Sequence, residues 1–219
     1  MSRFDRLIND LATTAVSDRA CNQYSRDVGD LRGNAIRRRN LRLYLEELDA
    51  IGPRMMLVGE AVSYRGGRLT GIAFVSEALM LSGIDLANGS RILGADHGYR
   101  KATPGPKLST EASATMVWET IRNIEPLPLL WNAFQFHPFR PENALSNRVP
   151  TPAELEIGSR FIDRLMRLFD FEIVVAIGNQ AAASFTKMGI AHEKVRHPSM
   201  AGKPQFVAGM KRLTLSPDV

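Results

Sequence analysis

A carboxylate, a primary amide and an imidazole stand at the ends of three short apolar runs. Glu60 follows Met55-Met56-Leu57-Val58-Gly59, Asn132 lies near the end of the run from Leu127 to Phe134, and His197 follows a shorter run that starts at Glu193. A carboxylate stabilises a cation or orients a water. An amide offers one acceptor and two donors to a planar polar edge, and a neutral imidazole can donate one N–H to developing negative charge. Each residue also has a plain structural reading, as a strand-end cap or a turn histidine satisfied by backbone. His137, also followed by proline, ranks below His197 because it lies among Phe134, Phe136 and Phe139 rather than after a strand. His97 and His192 have no partner pattern, and four histidines at these spacings do not make a zinc site.

To bring these three side chains together, the runs must lie side by side. The apolar runs at 55–59, 127–134 and 171–177, with a shorter one at 193–197, show no alternation, which suits a parallel sheet covered on both faces. Helical patterns at 75–81, 109–123, 152–169 and 181–188 supply the crossovers. The predicted fold is a three-layer α/β/α sandwich with a short, central, mainly parallel four-stranded sheet. In such sheets the ligand crevice lies beyond the carboxyl ends of the strands. Glu60, Asn132 and His197 would then converge there, with Gly178-Asn179-Gln180 at a fourth exit. Upstream, Phe4, Leu7, Ile8, Leu11 and Ala15 repeat at helical spacing, as do Leu41, Tyr44, Leu45 and Leu48. Residues 1–50 therefore read as an N-terminal helical segment of one domain spanning 1–219. The polar stretch 17–34 between its helices reads as a surface connection, and Arg37-Arg38-Arg39 as a solvated helix face.

Composition narrows the function. The 219 residues are 44% hydrophobic and 23% charged, a globular balance, and no apolar run is long enough to span a bilayer. Asp5 and Asp10 interrupt the first apolar pattern, which argues against a secretory signal and for a cytoplasmic protein. Cys21 is the only cysteine, so this chain alone cannot form a disulfide or a four-thiolate zinc or iron–sulfur site. The net charge of +5 is mildly basic, and 194–212 holds Lys194, Arg196, Lys203, Lys211 and Arg212 without an acid. Such a run reads as a phosphate-binding footprint.

In this order the motifs resemble those of the uracil-DNA glycosylase superfamily. Gly59-Glu60-Ala61 is similar to the start of the Gly-Glu-Ala-Pro-Gly motif of its thermophilic family 4 members, and Thr70-Gly71-Ile72-Ala73-Phe74-Val75 to the Gly-x-Pro-Phe-Val stretch that follows. Asn132 with Pro138, then Arg148-x-Pro150 and Glu154, resembles the next pattern, and His197-Pro198-Ser199 the terminal His-Pro-Ser. There are departures. Cys21-Asn22-Gln23-Tyr24 stands where a Cys-x-x-Cys would be, and Phe136 takes the place of a later ligand, so no iron–sulfur cluster and no metal are expected. Val62 and Ser63 replace the motif proline and glycine, and Ala61 stands where other branches keep a catalytic Asp or Asn.

The resemblance implies a monofunctional glycosylase of base excision repair. Its substrate would be uracil in single- or double-stranded DNA, its product free uracil, and it would act as a monomer on a nucleotide flipped into a pocket. Phe74 would stack on the base and Asn132 would read its N3–H and O4 edge, with Gly59, Ala61 and Tyr64 completing the pocket. His197 would stabilise the uracil anion at O2, and Glu60 the sugar cation or the attacking water, with Glu77 as the fallback carboxylate. Arg65, Arg68, Arg196, Ser199 and Lys203 would grip phosphates, while Met200 and Gly202 belong to a loop that enters the minor groove. The competing readings are a DNA-binding relative without catalysis and an unrelated nucleotide or acyl hydrolase on a similar sheet.

Overall fold

The computed structural model describes residues 2–215. In chain order its elements are α1 (Asp5–Thr13), β1 (Ala20–Cys21), α2 (Leu31–Ile51), β2 (Met55–Ala61), α3 (Gly67–Thr70), α4 (Glu77–Ser82), β3 (Ile84–Asp85) and β4 (Arg91–Ile92). There follow α5 (Ala112–Ile121), β5 (Leu129–Phe134), β6 (His137–Pro138), α6 (Pro152–Leu168), β7 (Ile173–Ile177), α7 (Asn179–Met188), β8 (Glu193–Val195) and α8 (Lys203–Leu215).

The central sheet has the order β5-β2-β7-β8, every neighbouring pair parallel. Met56, Leu57 and Val58 on β2 and Leu129, Leu130 and Trp131 on β5 have no exposed surface, as residues sandwiched between two helical layers must. The predicted mixed α/β fold is therefore the observed one. α6 packs on β5, α7 on β2 and β7, and α8 on β8. A register that sets Gly59 opposite Asn132 brings the predicted β2 and β5 site residues to one level of the sheet. Local signals fix the helix starts. Asp30 caps α2 by accepting from the Gly33 N–H at 3.0 Å, and Thr151 and Glu154 form a reciprocal capping box on α6, with Pro152 in its first turn.

Two expectations are corrected. The 17–34 stretch is not a surface connection: Asn22, Gln23, Tyr24 and Ser25 are buried, and β1 pairs antiparallel with β6. Its polar side chains can be buried because they satisfy backbone carbonyls of other elements. Asn22 Nδ2 donates to Leu11 and Thr14 at 2.8 and 2.9 Å, Gln23 Nε2 to Gln135 at 2.9 Å, and the Tyr24 hydroxyl to Gly71 at 2.7 Å. The arginine cluster is a solvated face only in part: Arg39 is exposed and Arg38 half-buried, but Arg37 is not solvated. Arg37 is buried and donates to Asn34 Oδ1 at 2.7 Å and to the Leu69 carbonyl at 3.2 Å. Arg38 donates to the Tyr24 and Ser25 carbonyls, and Arg39 to Gly98. The basic stretch after His197 forms α8 from Lys203 onward, which buries Phe206, Met210 and Leu213 at helical spacing. Among the described residues no helix is long and apolar enough to cross a membrane.

Candidate active site

Beyond the carboxyl ends of the sheet lies a cleft of about 860 Å³. Seven of the residues given a site role from the sequence line it: Glu60, Ala61, Phe74, Asn132, Arg196, His197 and Ser199. Val62, Ser63, Glu111, Ser113, Arg140, Asn147 and Arg148 share the lining, as do Gly178, Asn179 and Gln180 at the start of α7.

Phe74 enters the cleft from a left-handed backbone conformation, φ 54°. For a bulky residue that is a strained geometry, and it persists because its surroundings fix it. The Trp118 indole Nε1 donates to the Phe74 carbonyl at 2.9 Å, and the Thr70 hydroxyl donates to the Val75 carbonyl at 2.8 Å. Gly59 makes room for the ring: a Cβ there would overlap the tip of Phe74 and lie 2.7 Å from Asn132 Oδ1. Gly59 thus supports the pocket from beneath without lining it. Asn132 is 3% exposed, a buried amide at the cleft wall.

His197 faces Phe74, with ring centroids 6.5 Å apart. The Ser199 backbone N–H donates to His197 Nδ1 at 3.2 Å, so Nδ1 is the acceptor and the ring proton sits on Nε2. The Ser199 hydroxyl lies 2.7 Å from the same nitrogen. Burial, reinforced by the adjacent Arg196 charge, lowers the pKa of this imidazole below its ordinary value. A neutral ring with a free Nε2–H donor is the result.

Three carboxyl groups have distinct environments. Glu60, at the end of β2, is half-buried in the cleft, and burial raises its pKa. Glu77, named from the sequence as the fallback carboxylate, does not line the cleft. It is 1% exposed and accepts from the Thr103 hydroxyl at 2.5 Å and the Ser109 N–H at 3.0 Å. Its place in the first turn of α4 turns it toward the 103–109 segment, which it anchors. Glu111 was not anticipated. It sits just before α5 in the cleft wall, and its pKa is raised by burial despite contacts from Ser63 and Ser113.

The far rim is held by Arg148, which pairs with both oxygens of buried Glu154 at 2.6 and 2.7 Å and donates to the Phe139 and Arg19 carbonyls. Burial opposes the charge on Glu154, but Arg148, the Thr151 N–H and the Ser17 hydroxyl outweigh it and hold the carboxyl at about 2. Asn147 Oδ1 accepts from the Tyr64 N–H at 3.1 Å and ties the rim to the 62–66 loop.

The remaining predicted contacts lie outside the cleft lining. Arg65 is exposed, its guanidinium 5.3 Å from the Tyr64 ring centroid. Arg68 borders a second cavity of about 710 Å³, together with Cys21 and Arg37. Met200 is 87% exposed, and both it and Ala201 have positive φ, a tight turn projecting past Ser199. A Cβ on Gly202 would overlap the His197 carbonyl, so that turn packs directly under the histidine. Lys203 is ion-paired with Glu119 at 2.7 Å, so the basic run is partly neutralised by α5. His137 is fully buried, its ring nitrogens facing the Val62 and Ala144 carbonyls at 2.9 and 3.2 Å. Among the described residues no group of three or more His, Cys, Asp or Glu is placed to hold a metal ion.

The solved structure of wild-type SMUG2 from Pedobacter heparinus shares the fold with a TM-score of 0.63 at 15% identity, covering 95% of this chain and 97% of that one. No curated protein sequence matches the chain. The family model for the uracil DNA glycosylase superfamily matches residues 46–213, a span that contains every element of the central sheet and every residue of the cleft. The chain belongs to the uracil DNA glycosylase superfamily.

Proposed function

We propose that the protein is a monofunctional uracil-DNA glycosylase acting in base excision repair, as a monomer and without metal or cluster. The observation that carries this reading is the cleft in which a neutral His197 with its proton on Nε2, the Asn132 amide and the Phe74 ring meet. The target nucleotide leaves the stack and enters the cleft, because its C1′–N1 bond is out of reach within a duplex. Phe74 stacks on the base, over Gly59, and Asn132 meets N3–H and O4 with one acceptor and one donor. As the bond breaks, negative charge builds on uracil O2, and His197 Nε2–H stabilises it without transferring its proton. The Glu60 carboxylate, next to the Ala61 backbone, stabilises the positive charge on the sugar.

Arg65, Arg68, Arg196, Ser199 and Lys203 provide phosphate contacts that set register rather than sequence preference. The Met200 turn, resting on Gly202, fills the space left by the flipped base. The test is incubation with single- and double-stranded oligonucleotides bearing one uracil, with and without chelator, followed by alkaline cleavage. Abasic product unaffected by chelator is the expected result. DNA binding without abasic product at stoichiometric enzyme would instead identify a non-catalytic relative.

A further inference from the structure

We propose that Glu111 is the general base of this cleft, holding the attacking water and taking its proton. The proposal rests on the glycosylase reading above and assigns a step that Glu60 and His197 do not perform.

Glu111 occupies the N-cap position of α5, yet its side chain makes no capping hydrogen bond. Its backbone carbonyl starts the helix, accepting from the Thr115 N–H at 3.1 Å, while the carboxylate lies in the cleft wall. An acid placed there only for the helix would bond the first-turn N–H groups. The fold also makes room for it: a Cβ on Gly66 would overlap Glu111 Oε2, so the glycine of the 62–66 loop keeps the carboxylate's place open. Ser113 Oγ lies 3.2 Å from Oε1, and Ser63 also contacts the carboxylate. Among the described residues no cation forms an ion pair with it. A half-buried carboxylate held by hydroxyls alone is more basic than one held by arginine, as desolvation's upward push on its pKa reflects. Glu154, gripped by Arg148, is the counterexample within the same molecule.

Glu60 and Glu111 reach the cleft from different elements, one from the sheet and one from α5 beside the 62–66 loop. Hydrolysis that sends the base out on one side and admits water on another uses two carboxyl groups in separate positions. The C1′–N1 electron pair leaves with uracil as its anion, water oxygen bonds to C1′, and one water proton passes to Glu111 and then to solvent. Solvent protonates the released uracil. Ser63 and Ser113, which touch Glu111, do not titrate in the working range. The charged and titratable groups lining the rest of the cleft are Glu60, Arg140, Arg148, Arg196 and His197.

The test compares wild type, Glu111→Gln and Glu111→Ala in single-turnover excision from a uracil oligonucleotide at saturating enzyme. Glu111→Gln preserves size and hydroxyl contacts but is not basic. Its rate is expected to fall about 100- to 1,000-fold with DNA binding and melting temperature unchanged, and added formate is expected to restore Glu111→Ala at least tenfold while leaving wild type unaffected. A Glu111→Gln rate equal to wild type, or no formate rescue of Glu111→Ala, overturns the proposal and leaves the glycosylase reading intact. A wild type that releases no uracil overturns both.

Discussion

The Trp118 indole holds the carbonyl of Phe74, 2.9 Å away, and thereby fixes the peptide of a residue whose φ of 54° is otherwise unfavourable. Trp118 itself is buried on α5 and is not among the residues that line the cleft. Trp118→Phe keeps an aromatic ring but leaves a buried carbonyl unpaired, at a cost of about 1–3 kcal/mol. Urea unfolding should register that loss. Single-turnover excision at saturating enzyme should slow by roughly tenfold as Phe74 loses its fixed orientation. An unchanged excision rate would show that the ring is held by packing against Gly59 alone.

Asn132→Ala removes the one buried amide at the cleft wall. Loss of a paired partner in a desolvated pocket costs a few kcal/mol, so excision should drop by about 100-fold or more. Phe74→Ala should cost about 1–3 kcal/mol of stacking. Circular dichroism of both variants checks that the fold persists while single-turnover rates are compared.

In the proposed reaction His197 acts as a neutral donor, and burial and Arg196 keep its pKa below the usual histidine value. Excision should therefore hold constant as pH falls through 6.5 and decline only at lower pH, where Nδ1 gains a proton and loses the Ser199 N–H. His197→Ala should reduce the single-turnover rate by roughly two to three powers of ten with little change in DNA affinity. A rate profile that breaks at or above pH 6.5 in wild type and in Glu111→Gln alike would contradict the neutral-donor role.

Acid stability should follow Glu154. Its carboxyl, ordinarily near 4.5, is held at about 2 in the folded protein. The folded form therefore binds fewer protons than the unfolded chain in that window, and the stability this group contributes is complete above pH 4.5 and is lost as pH falls toward 2. Glu154→Gln should be less stable than wild type at pH 7, and the gap should narrow between those two pH values. Urea midpoints for both proteins at pH 7, 4 and 3 measure it.

Phosphate contacts should be unequal. Lys203 is ion-paired with Glu119, whereas Arg196 lines the cleft and has no acidic partner among the described residues. Arg196→Ala should lower the salt slope of DNA binding by about one, and Lys203→Ala by less. Binding over a salt series for each variant distinguishes them.

Much of this architecture is legible in the sequence, because apolar runs without alternation leave few alternatives to a covered parallel sheet, with Glu60 at the end of one run, His197 just past another and Asn132 in the carboxyl half of a third. What escapes is of two kinds. Tyr24, Arg37 and Asn22 are buried through hydrogen bonds to distant carbonyls, which no local pattern announces. Glu111 lies at an irregular helix start, where its role depends on the space left by Gly66, a residue distant in the chain. The helix at Lys203–Leu215 was within reach: Phe206, Met210 and Leu213 carry its period, masked by the basic residues around them.

The Tyr24 hydroxyl and the Arg37 guanidinium hold the carbonyls of Gly71 and Leu69, a few residues ahead of Phe74, although both lie upstream of the family-matched span 46–213. The N-terminal segment is therefore a buttress for the loop that presents Phe74 rather than an appendage. A fragment trimmed to the matched span would keep the sheet and every residue of the cleft, yet the loop presenting Phe74 would stand unbraced. Substitutions at Tyr24 or Arg37 would therefore remove supports of the Phe74 loop with no cleft residue altered.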